Sequence, residues 1–485
     1  MASAAIDIEG LTFTYAGAET PSLSEVTLEV PYGQLLVLAG ASGCGKTTLT
    51  RVISGLIPAF FEGKLSGAAT VAGLDVTTAA TWDIARQVGT VFQNPRTQFF
   101  TTDTASELAF GCENLGLPPD QTRARVDAAA LAHNLTGLMD RSVFALSGGE
   151  KQRLACGAVA AMETPILVLD EPSANLDARS TEELRQAIAS WKALGRTLVV
   201  ADHRLEYLRE LADTVVIMDA GRITCRLTGD EFRALGETAC HELGLRSPFP
   251  VPPFQPRAAG PSASTLMLDG VQVRRRRPAV PGQAPMRGRI TTLSIEHCDF
   301  RAGTVTAVVG PNGAGKTTLA NCLAGLGPRQ PGALTLAGAR IPWRQRWRQC
   351  YLVQQDVSHQ LFTESALREV MLACPHGCPD PAAVAQQALA DVNLSEFSER
   401  HPLSLSAGQR QRLAIACALA SARQVTVFDE PTSGLDLRQM QATAKALRQI
   451  ADQGRVVLVI THDFELVAAV ADEVVRMGDG HLITG

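Results

Sequence analysis

Two short glycine-rich segments have the residue types and spacing of a phosphate-binding loop. The pattern GxxxxGK[ST] occurs at residues 40–47 and 310–317, each time after an apolar run and before a helix-compatible stretch. Glycines let the backbone fold tightly so that its N–H groups point at an anion, and the positive end of the following helix favours phosphate. We therefore predict that each segment binds the phosphates of a nucleotide.

The polar side chains of these loops have distinct expected roles. Lys46 and Lys316 would reach the outer phosphates, while Thr47 and Thr317 would place a hydroxyl on Mg²⁺, a hard cation that takes oxygen ligands. The loop residues predicted to bind ATP are Gly40, Ala41, Ser42, Gly43, Cys44, Gly45, Lys46, Thr47 and Thr48 in the first copy, and Gly310, Pro311, Asn312, Gly313, Ala314, Gly315, Lys316, Thr317 and Thr318 in the second.

Two apolar runs, LVLD and TVFD, end in an aspartate that is followed by a glutamate. Asp170 and Asp429 suit direct or outer-shell ligands of Mg²⁺. Glu171 and Glu430 suit the group that orients and deprotonates the attacking water, because phosphoryl transfer leaves the protein mainly positioning and charge neutralisation. We predict that these two glutamates are catalytic.

A histidine follows another apolar run in each half of the chain, His203 in VVADHR and His462 in VITHD. A lone histidine is more often structural. Two histidines at the same offset as the acidic pairs favour a catalytic role, in which each ring holds the γ-phosphate and the water.

These segments recur because the second half of the chain repeats the first half in order. LSGGEKQRLA at residues 146–155 returns as LSAGQRQRLA at 405–414, and the landmarks from there to the histidines keep a constant offset of 259 residues. The offset is 270 at Gly40 and 262 at Gln93, which places length changes upstream, in segments expected to be surface loops. The repeat indicates two domains of one fold.

Length and composition agree with two α/β domains. The chain has 485 residues, of which 46% are hydrophobic and 19% charged, so a disordered chain is excluded and two sizeable cores can be filled. The proline-dense stretch 247–264 forbids a regular helix and suggests an extended connector. We predict a first domain over 1–240, a linker over 241–264 and a second domain over 265–485.

Composition also narrows the setting in which the chain works. No run reaches the roughly 18 apolar residues of a membrane-spanning helix, and the first residues lack the pattern of a signal peptide, so we expect a cytosolic protein. The eleven cysteines are scattered, which favours reduced thiols over a disulfide framework. A net charge of −5 gives no general argument for nucleic-acid binding.

The segments LSGGE and LSAGQ carry the most specific pattern in the chain. Together with the phosphate loops and acidic strand ends, they make the sequence resemble the ATP-binding-cassette (ABC) ATPase family over nearly the whole chain outside the linker. The resemblance implies an α/β fold of two tandem P-loop NTPase domains. Each would have a mostly parallel sheet with helices, an antiparallel β subdomain and a helical signature subdomain, and the protein would hydrolyse ATP.

In this family the signature residues of one domain cap the γ-phosphate held by the phosphate loop of the other. The resemblance therefore implies head-to-tail pairing of the two domains within this chain. The nucleotide on Lys316 would be contacted by Ser147, Gly148 and Gly149. The nucleotide on Lys46 would be contacted by Ser406, Ala407 and Gly408. Ala407 departs from the commoner glycine, although a small residue still permits close approach.

Two further pairs of segments resemble ABC motifs. SANLD at 173–177 and SGLD at 433–436 look like D-loops, which communicate across the domain pair. Gln93 and Gln355 look like Q-loop glutamines, which touch both the nucleotide site and Mg²⁺ and sense the transport partner.

The residues after each of these glutamines resemble the ATPase subunits of energy-coupling factor (ECF) importers, which take up vitamins or transition-metal ions. QNPRTQFF and QDVSHQLF each carry a second glutamine five residues on, then an apolar pair. The resemblance implies a membrane T component, a substrate-binding S component and a peripheral position at the cytoplasmic face of the membrane. The alternative is that the apolar pairs, Phe99 with Phe100 and Leu361 with Phe362, are simply core residues.

Three other functions stay open at this point. Fused sugar-importer ATPases have similar length, but their second phosphate loop typically degenerates, whereas GPNGAGKTT is intact. Soluble translation-associated ABC proteins also pair two cassettes, with a long charged helical linker in place of this short proline-rich one. A clamp that binds ATP without turnover is disfavoured by the intact Glu171 and Glu430.

Adenine binding is expected to differ between the two copies. The family usually stacks an aromatic ring on the base, and Tyr15 fits that role in the first copy. Aligning IEGLTFTY with LDGVQVRR puts Arg275 at the matching position, where a guanidinium plane can stack on a base. The alternative is that Arg275 points to solvent.

Three other features have weaker interpretations. Cys44 lies near a helix N-terminus and a lysine, so we expect some thiolate character and a reaction with maleimide from which ATP protects; the alternative is a packed, unreactive thiol. CPHGC at 374–378 is expected to be a loop, because zinc sites need about four ligands. The run 274–277, RRRR, is most often solvated, with contact to anionic lipid headgroups as the alternative.

Overall fold

The computed structural model describes residues 4–174, 176–251, 254–256, 265–276, 289–327 and 330–483, with only the backbone described for 96, 275–276 and 289–290. The chain divides into two compact units, Met1–Pro250 and Val251–Gly485. The division falls inside the stretch predicted as a linker, although a helix ends at Glu242, within that stretch. The predicted linker limits, 241 and 264, stay a prediction.

The first unit alternates strands and helices after an N-terminal pair of long strands. Its strands are β1 (Ala4–Tyr15), β2 (Leu23–Pro31), β3 (Leu35–Gly40), β4 (Gly63–Val71), β5 (Leu74–Asp75), β6 (Val88–Val91), β7 (Ile166–Asp170), β8 (Thr197–Ala201), β9 (Thr214–Asp219) and β10 (Arg222–Thr228). Its α-helices are α1 (Lys46–Ile53), α2 (Thr81–Ala85), α3 (Thr104–Asn114), α4 (Pro119–Ala132), α5 (Gly148–Met162), α6 (Ala178–Ala193), α7 (Gly229–Ala234) and α8 (Glu237–Glu242).

The second unit repeats this order. Its strands are β11 (Thr265–Arg276), β12 (Arg289–Arg301), β13 (Val305–Val309), β14 (Ala333–Leu336), β15 (Ala339–Arg340), β16 (Cys350–Val353), β17 (Val425–Asp429), β18 (Val456–Ile460), β19 (Glu473–Gly478) and β20 (His481–Ile483). Its α-helices are α9 (Lys316–Ala324), α10 (Arg346–Gln349), α11 (Ala366–Ala373), α12 (Pro381–Asp391), α13 (Ala407–Ala420), α14 (Leu437–Asp452) and α15 (Phe464–Val470).

Each unit is built on a mostly parallel sheet. The strand order is β10-β9-β3-β8-β7-β6 in the first unit and β16-β17-β18-β13-β19-β20 in the second, with β10 and β20 as antiparallel edge strands. Strands β3, β7 and β8 are buried at every residue, as are β13, β17 and β18. Burial on both faces explains why these strands read as continuous apolar runs in the sequence.

A smaller antiparallel sheet covers one face of each parallel sheet. Its order is β2-β1-β4-β5 in the first unit and β12-β11-β14-β15 in the second. In the first unit its inward side chains, among them Ile6, Ile8 and Phe13, form one core with residues of α1 and with Leu36 and Leu38 of β3. The phosphate-loop helix therefore lies between two sheets.

The segment between β6 and β7 forms a helical part, and the segment between β16 and β17 does the same. Helices α3, α4 and α5 pack through Leu108, Val126 and Leu154 in the first unit. These parts, the parallel sheets and the antiparallel sheets confirm the fold class predicted from the sequence. Among the described residues, no helix has both the length and the apolar character needed to span a bilayer.

Candidate nucleotide-binding sites

The predicted phosphate loop of the first unit runs from the end of β3 to the start of α1. Gly40 has φ 137° and Gly45 has φ 106°, conformations that side chains with a Cβ rarely adopt. A Cβ on Gly40 would also overlap the carbonyl oxygen of Met218, which belongs to the neighbouring strand β9. Gly310 repeats this close approach against Met477. The glycines are thus required by the backbone path as well as by any ligand.

The loop lysine lies in the same position in both units. Lys46 Nζ donates to the carbonyl oxygens of Gly40 at 2.9 Å and Ala41 at 3.0 Å. Lys316 Nζ donates to Gly310 at 2.6 Å and to Pro311 at 3.0 Å. Both lysines are buried. The loop carbonyls therefore hold a cation at the N-terminus of the helix, where an anionic ligand is favoured.

The threonine that follows the first lysine meets the aspartate at the end of β7. Thr47 Oγ1 donates to Asp170 Oδ1 at 3.2 Å. Burial and the neighbouring Glu171 carboxylate raise the pKa of Asp170 to about 7, although Thr47, Arg51 and Lys46 act in the opposite direction. A hydroxyl and a carboxylate oxygen at this distance fit the hard oxygen ligands that Mg²⁺ prefers.

The corresponding pair in the second unit has the same electrostatic character. Burial raises the pKa of Asp429 to about 6, with a hydrogen bond from Thr317 opposing the shift and Glu430 adding to it. A buried carboxylate with a raised pKa gains from a cation that neutralises it. This donor set also fits Mg²⁺, and the assignment of either pair as metal ligands stays a prediction.

Both predicted catalytic glutamates adopt a left-handed backbone conformation directly after a buried strand. Glu171 has φ 44° and Glu430 has φ 53°. Their N–H groups donate to the carbonyl oxygens of Ala201 at 2.7 Å and Ile460 at 2.8 Å, at the ends of the adjacent strands β8 and β18. Sparsely populated backbone conformations of this kind persist where surrounding structure enforces them and cluster at functional sites.

Two other predicted residues of the first site, Gln93 and His203, contact the carboxylate of Glu171. Gln93 Nε2 donates to Glu171 Oε2 at 2.7 Å, and His203 Nε2 lies 3.5 Å from Glu171 Oε1. The same nitrogen lies 3.5 Å from Ser42 Oγ. Burial alone would raise the pKa of Glu171, but His203, Lys46 and Gln93 together hold it below its ordinary value. A deprotonated carboxylate suits a group that accepts a proton from water.

The carboxylate of Glu430 is held differently. His462 Nδ1 lies 2.8 Å from Glu430 Oε1, while Thr461 Oγ1 and the His462 N–H donate to Oε2 at 3.2 and 3.4 Å. The other ring nitrogen, Nε2 of His462, is buried and makes no hydrogen bond to the described part of the chain. A buried nitrogen without a partner is available to a polar ligand such as a phosphate oxygen or water.

Both signature serines cap a helix. Ser147 Oγ accepts the N–H of Glu150 at 3.3 Å, and the Glu150 carboxylate accepts the N–H of Ser147 at 2.7 Å. Ser406 and Gln409 make the same reciprocal pair. This capping box fixes the start of α5 and of α13 and leaves the serines exposed at helix N-termini. Which nucleotide they contact stays a prediction.

Tyr15 lies beside the phosphate-loop helix. Its hydroxyl accepts a hydrogen bond from Arg51 Nη1 at 2.9 Å and lies 3.3 Å from Thr48 Oγ1. Its ring meets the rings of Phe13 and Phe61 edge-on. These contacts fix the ring next to the loop, as an adenine-stacking role requires. The side chain of Arg275 lies outside the described residues, as do those of the following arginines to 277.

The expectation that Cys44 has thiolate character is wrong. The thiol is buried in the core formed with the antiparallel sheet, and this burial raises the pKa of Cys44 even though Lys46 Nζ lies 3.8 Å away. A buried, protonated thiol reacts slowly with maleimide. The CPHGC segment forms a turn between α11 and α12, in which the N–H of Cys378 donates to Pro375.

The second glutamine of each Q-loop segment has a structural role that the sequence did not reveal. Gln98 Oε1 accepts the N–H of Phe92 at 3.0 Å, and Gln360 Oε1 accepts the N–H of Gln354 at 2.8 Å. Each side chain therefore braces the loop that carries Gln93 or Gln355. The repeated five-residue spacing was visible, but it does not by itself identify the acceptor atom.

In the apolar pair that follows Gln98 or Gln360, the first residue is at least partly buried and the second is exposed. Leu361 is buried and Phe99 packs partly into a core, whereas Phe100 is 74% exposed and Phe362 is 72% exposed. The interpretation of all four as core residues is therefore wrong for the second member of each pair. Phe100 and Phe362 thus occupy the same repeat position, and Phe100 also stacks on the ring of Phe110, with centroids 4.9 Å apart.

The comparisons with known proteins agree with this architecture. The family model described as ABC transporter matches residues 23–174 and 294–433. A relative from Treponema denticola, named as an ABC transporter ATP-binding protein, is 40% identical over 481 residues, which cover 99% of this chain and 96% of the relative. The chain belongs to the ABC transporter ATP-binding family. It is a tandem ABC-type ATPase with two ATP-binding domains in one polypeptide.

Two solved structures are also similar to the chain. The archaeal ribosome recycling factor aABCE1 is 20% identical with a TM-score of 0.63, over 97% of this chain and 87% of that one, a likeness that shows the fold alone. The cbiO1 protein of Clostridium perfringens, part of the cbiONQ transporter complex, is 28% identical with a TM-score of 0.44, over 50% of this chain and 96% of that one.

Proposed function

We propose that this chain is the ATPase subunit of an ECF-type importer, in which it energises uptake of a vitamin or a transition-metal ion. The observation that carries the proposal is the pair of braced Q-loop segments, each ending in an exposed aromatic, Phe100 or Phe362. Their recurrence in both units fits two equivalent contacts with a membrane T component. A separate S component would bind the substrate.

The chemistry proposed for each site follows from the contacts of its side chains. Backbone N–H groups of the loop and the loop lysine bind the phosphates of ATP. Mg²⁺ bound at Thr47 and Asp170, or at Thr317 and Asp429, would neutralise charge on the outer phosphates, with the Q-loop glutamines as further ligands. Activation of the attacking water is proposed to depend on the residues that surround it.

Glu171 is proposed to orient the water and accept its proton, since its pKa is held low and the carboxylate is therefore deprotonated. His203 lies on one side of this carboxylate and Gln93 on the other. In the second site, Glu430 takes the same role, with the unpartnered Nε2 of His462 directed to the phosphate or the water. Capping of each nucleotide by the opposite signature serine remains part of the proposal.

Coupling to the membrane partner is proposed to run through the braced loops. Phe100 is tied to α3, because its N–H and the N–H of Thr101 donate to Glu107 Oε2 at 3.1 and 2.9 Å. In the second unit, the N–H groups of Phe362 and Thr363 donate to Glu369 Oε2 of α11 at 2.9 and 2.8 Å. A partner that displaces Phe100 would therefore move the loop whose Gln93 donates to Glu171, and we propose the same coupling for Phe362 and Gln355.

The proposal is tested by affinity purification of the tagged chain from detergent-solubilised membranes. We expect a T component and an S component to co-purify, and the yield of both to fall for Phe100→Ala combined with Phe362→Ala. Phe60→Ala is the matched control, because Phe60 is 67% exposed but follows the phosphate-loop helix. Unchanged co-purification in the double variant would contradict the assigned surface.

The same purification separates the alternatives. Co-sedimentation with ribosomes and no membrane partner would favour a translation-associated protein, and a sugar importer would yield two permease-type partners without an S component. An intact chain that binds ATP without turnover would favour a clamp. The identity of the S component would then define the class of substrate.

A further inference from the structure

One surface of the second unit is strongly basic although the chain as a whole has a net charge of −5. No aspartate or glutamate occurs between Asp299 and Asp356. Within this stretch, residues 339–353 contain four arginines interleaved with two tryptophans and a tyrosine. We call this segment together with Arg423 the Arg-Trp patch. Arginines and tryptophans in one segment indicate an anionic partner that also accepts aromatic side chains.

The topology places the patch at an edge of the second unit. Its first residues form β15, the edge strand of the antiparallel sheet, and its last residues form β16, the edge strand of the parallel sheet. Buried Arg346 anchors the connection between them: its guanidinium lies over the ring of Trp343 at 4.8 Å, and Nη1 donates to the carbonyl oxygen of Cys322 at 2.9 Å. These contacts of Arg346 fix the patch to α9.

The other arginines of the patch form no ion pair with a carboxylate among the described residues. Arg340, Arg344 and Arg348 are exposed, and Arg423 is half-buried. In the part of the second unit that the structure describes, the ion pairs to carboxylates use other arginines and histidines. Arg348 and Arg423 lie over one tryptophan ring, and cations this close repel, so a polyanionic surface would relieve that repulsion.

Trp347 lies beside two of these arginines. Trp347 is 52% exposed, and the guanidinium groups of Arg348 and Arg423 lie over its ring at 5.2 and 5.7 Å from the centroid. Arginines beside an aromatic ring also occur where proteins bind single-stranded nucleic acid, so RNA binding is one outcome of the test below. An indole flanked by arginines suits the headgroup level of a bilayer, where the ring and the cations both find partners.

We propose that the Arg-Trp patch binds the surface of a membrane containing anionic phospholipids. This inference rests on the proposed importer function, because that function places the chain beside the membrane. It adds a lipid contact made by the second unit, independent of the T component. The corresponding segment of the first unit is less basic: it carries Asp75 and Asp83, and Asp83 pairs with Arg86 at 3.9 Å.

The test is flotation of the full-length protein with protein-free vesicles of phosphatidylcholine with or without phosphatidylglycerol. We expect binding only to the anionic vesicles, and loss of binding in about 1 M salt, where the Debye length is about 3 Å. Arg344→Gln and Arg348→Gln should each weaken binding roughly five-fold, the effect of about 1 kcal/mol per surface arginine. Trp347→Ala should weaken it as well.

Matched controls keep the result interpretable. Trp82→Ala and Arg86→Gln, in the first unit, should leave vesicle binding unchanged, and Arg344→Lys with Arg348→Lys should retain it because the charge remains. All these variants should keep basal ATPase activity, which reports correct folding. Equal binding by wild type and the glutamine variants would overturn the proposal.

Two competition experiments distinguish other sources of phosphate. Release of vesicles by soluble glycerophosphate at low concentration would overturn the lipid assignment in favour of a free phosphate ligand. Binding of single-stranded RNA that requires Arg344 and Arg348, in the absence of vesicle binding, would overturn it in favour of nucleic acid. Because the vesicles contain no T component, failure here leaves the proposed importer function standing.

Discussion

Glu430 and His462 meet through Nδ1 of the ring at 2.8 Å, whereas the matching residues of the first unit, Glu171 and His203, face each other through Nε2 at 3.5 Å. The two units thus present different ring nitrogens to a glutamate at the same repeat position. Thr461 accompanies the tighter contact by donating to Glu430 at 3.2 Å. We therefore expect two sites of matching composition to hydrolyse ATP at unequal rates.

The first prediction concerns the glutamates themselves. Replacing Glu171 and Glu430 together with glutamine should preserve ATP binding and nearly abolish turnover, because an amide keeps the shape of the side chain but cannot accept the proton. Steady-state phosphate release and nucleotide binding, measured on the same preparation, check both parts. Turnover at the wild-type rate in the double variant would contradict their role as bases.

The second prediction is that Thr461 positions Glu430. Thr461→Val should lower kcat at the second site by about two- to ten-fold, the effect of one hydrogen bond, with little change in KM. Thr461→Ser should restore the rate, because the hydroxyl returns. The measurement needs Lys46→Ala in the background so that the first site is silent.

The first unit has a different residue at this position. The position that matches Thr461 is Asp202, whose carboxylate accepts from the His203 N–H at 2.7 Å and from the Tyr207 hydroxyl at 2.7 Å. Asp202 therefore organises its own loop. If Thr461→Val and Thr461→Ser lowered kcat equally, the hydroxyl would have no positioning role.

The third prediction concerns the backbone of the phosphate loop. Gly40→Ala should destabilise the first unit by more than roughly 1 to 3 kcal/mol, since its positive φ alone has that cost and the new Cβ would overlap the Met218 carbonyl. Gly148→Ala is the control: no atom lies within 4 Å of its Cβ position, and the second unit already has Ala407 there. Calorimetric unfolding should separate the two variants, and equal stability would contradict the strain argument.

The fourth prediction is a pH-dependent stability of the first unit that comes from His133. The ring is buried beside Trp191, with centroids 5.6 Å apart, and burial lowers the pKa of His133 to about 4. An unfolded histidine has a pKa of about 6.5, so the unfolded chain binds more protons as the pH falls from 6.5 to 4. Stability should therefore fall across this range, by up to about 3 kcal/mol from this residue.

The second unit again offers the control substitution. Val392 occupies the position that matches His133 and is likewise buried. His133→Val should remove this component of the pH dependence, so the difference in unfolding free energy between wild type and variant should change between neutral pH and pH 4. A difference that stays constant with pH would show that His133 does not titrate on unfolding.

The meeting point of the site residues could be predicted from the sequence, because each residue follows a strand and the order of the strands brings their ends together. Apolar runs end at Gly40, Asp170 and Ala201, and the strands that they form lie side by side with their carboxyl ends at one edge. Loop lysine, acidic pair and histidine must then converge. The capping boxes at Ser147 and Ser406 are equally readable, since the pattern S-x-x-[EQ] names both partners.

Other features depend on packing that no short pattern encodes. Proximity to Lys46 suggested a reactive Cys44, but the core around the thiol dominates and raises its pKa. The ring nitrogen that each histidine presents depends on side-chain torsions set by its surroundings. The division of the apolar pairs, with Phe100 and Phe362 outward, follows from the fold of the helical part and could not be assigned from hydrophobicity alone.

The last prediction is that Tyr15 provides adenine stacking at the first site. In a Lys316→Ala background, Tyr15→Ala should weaken ATP binding by roughly 1 to 3 kcal/mol, the scale of stacking on an aromatic ring. Tyr15→Phe separates the ring from the hydroxyl: it keeps the stacking surface and loses the hydroxyl contacts with Arg51 and Thr48. We expect its affinity for ATP to stay close to that of wild type.

The second site serves as the reference for this prediction, because Arg275 replaces the tyrosine in the aligned repeat. In a Lys46→Ala background, Arg275→Ala should weaken ATP binding less than Tyr15→Ala does at the first site, and discrimination between ATP and GTP should be smaller. Nucleotide titrations on the two lysine backgrounds measure each site separately. Equal discrimination at both sites would rule the asymmetry out, and equal losses for Tyr15→Phe and Tyr15→Ala would assign the effect to the hydroxyl instead of the ring.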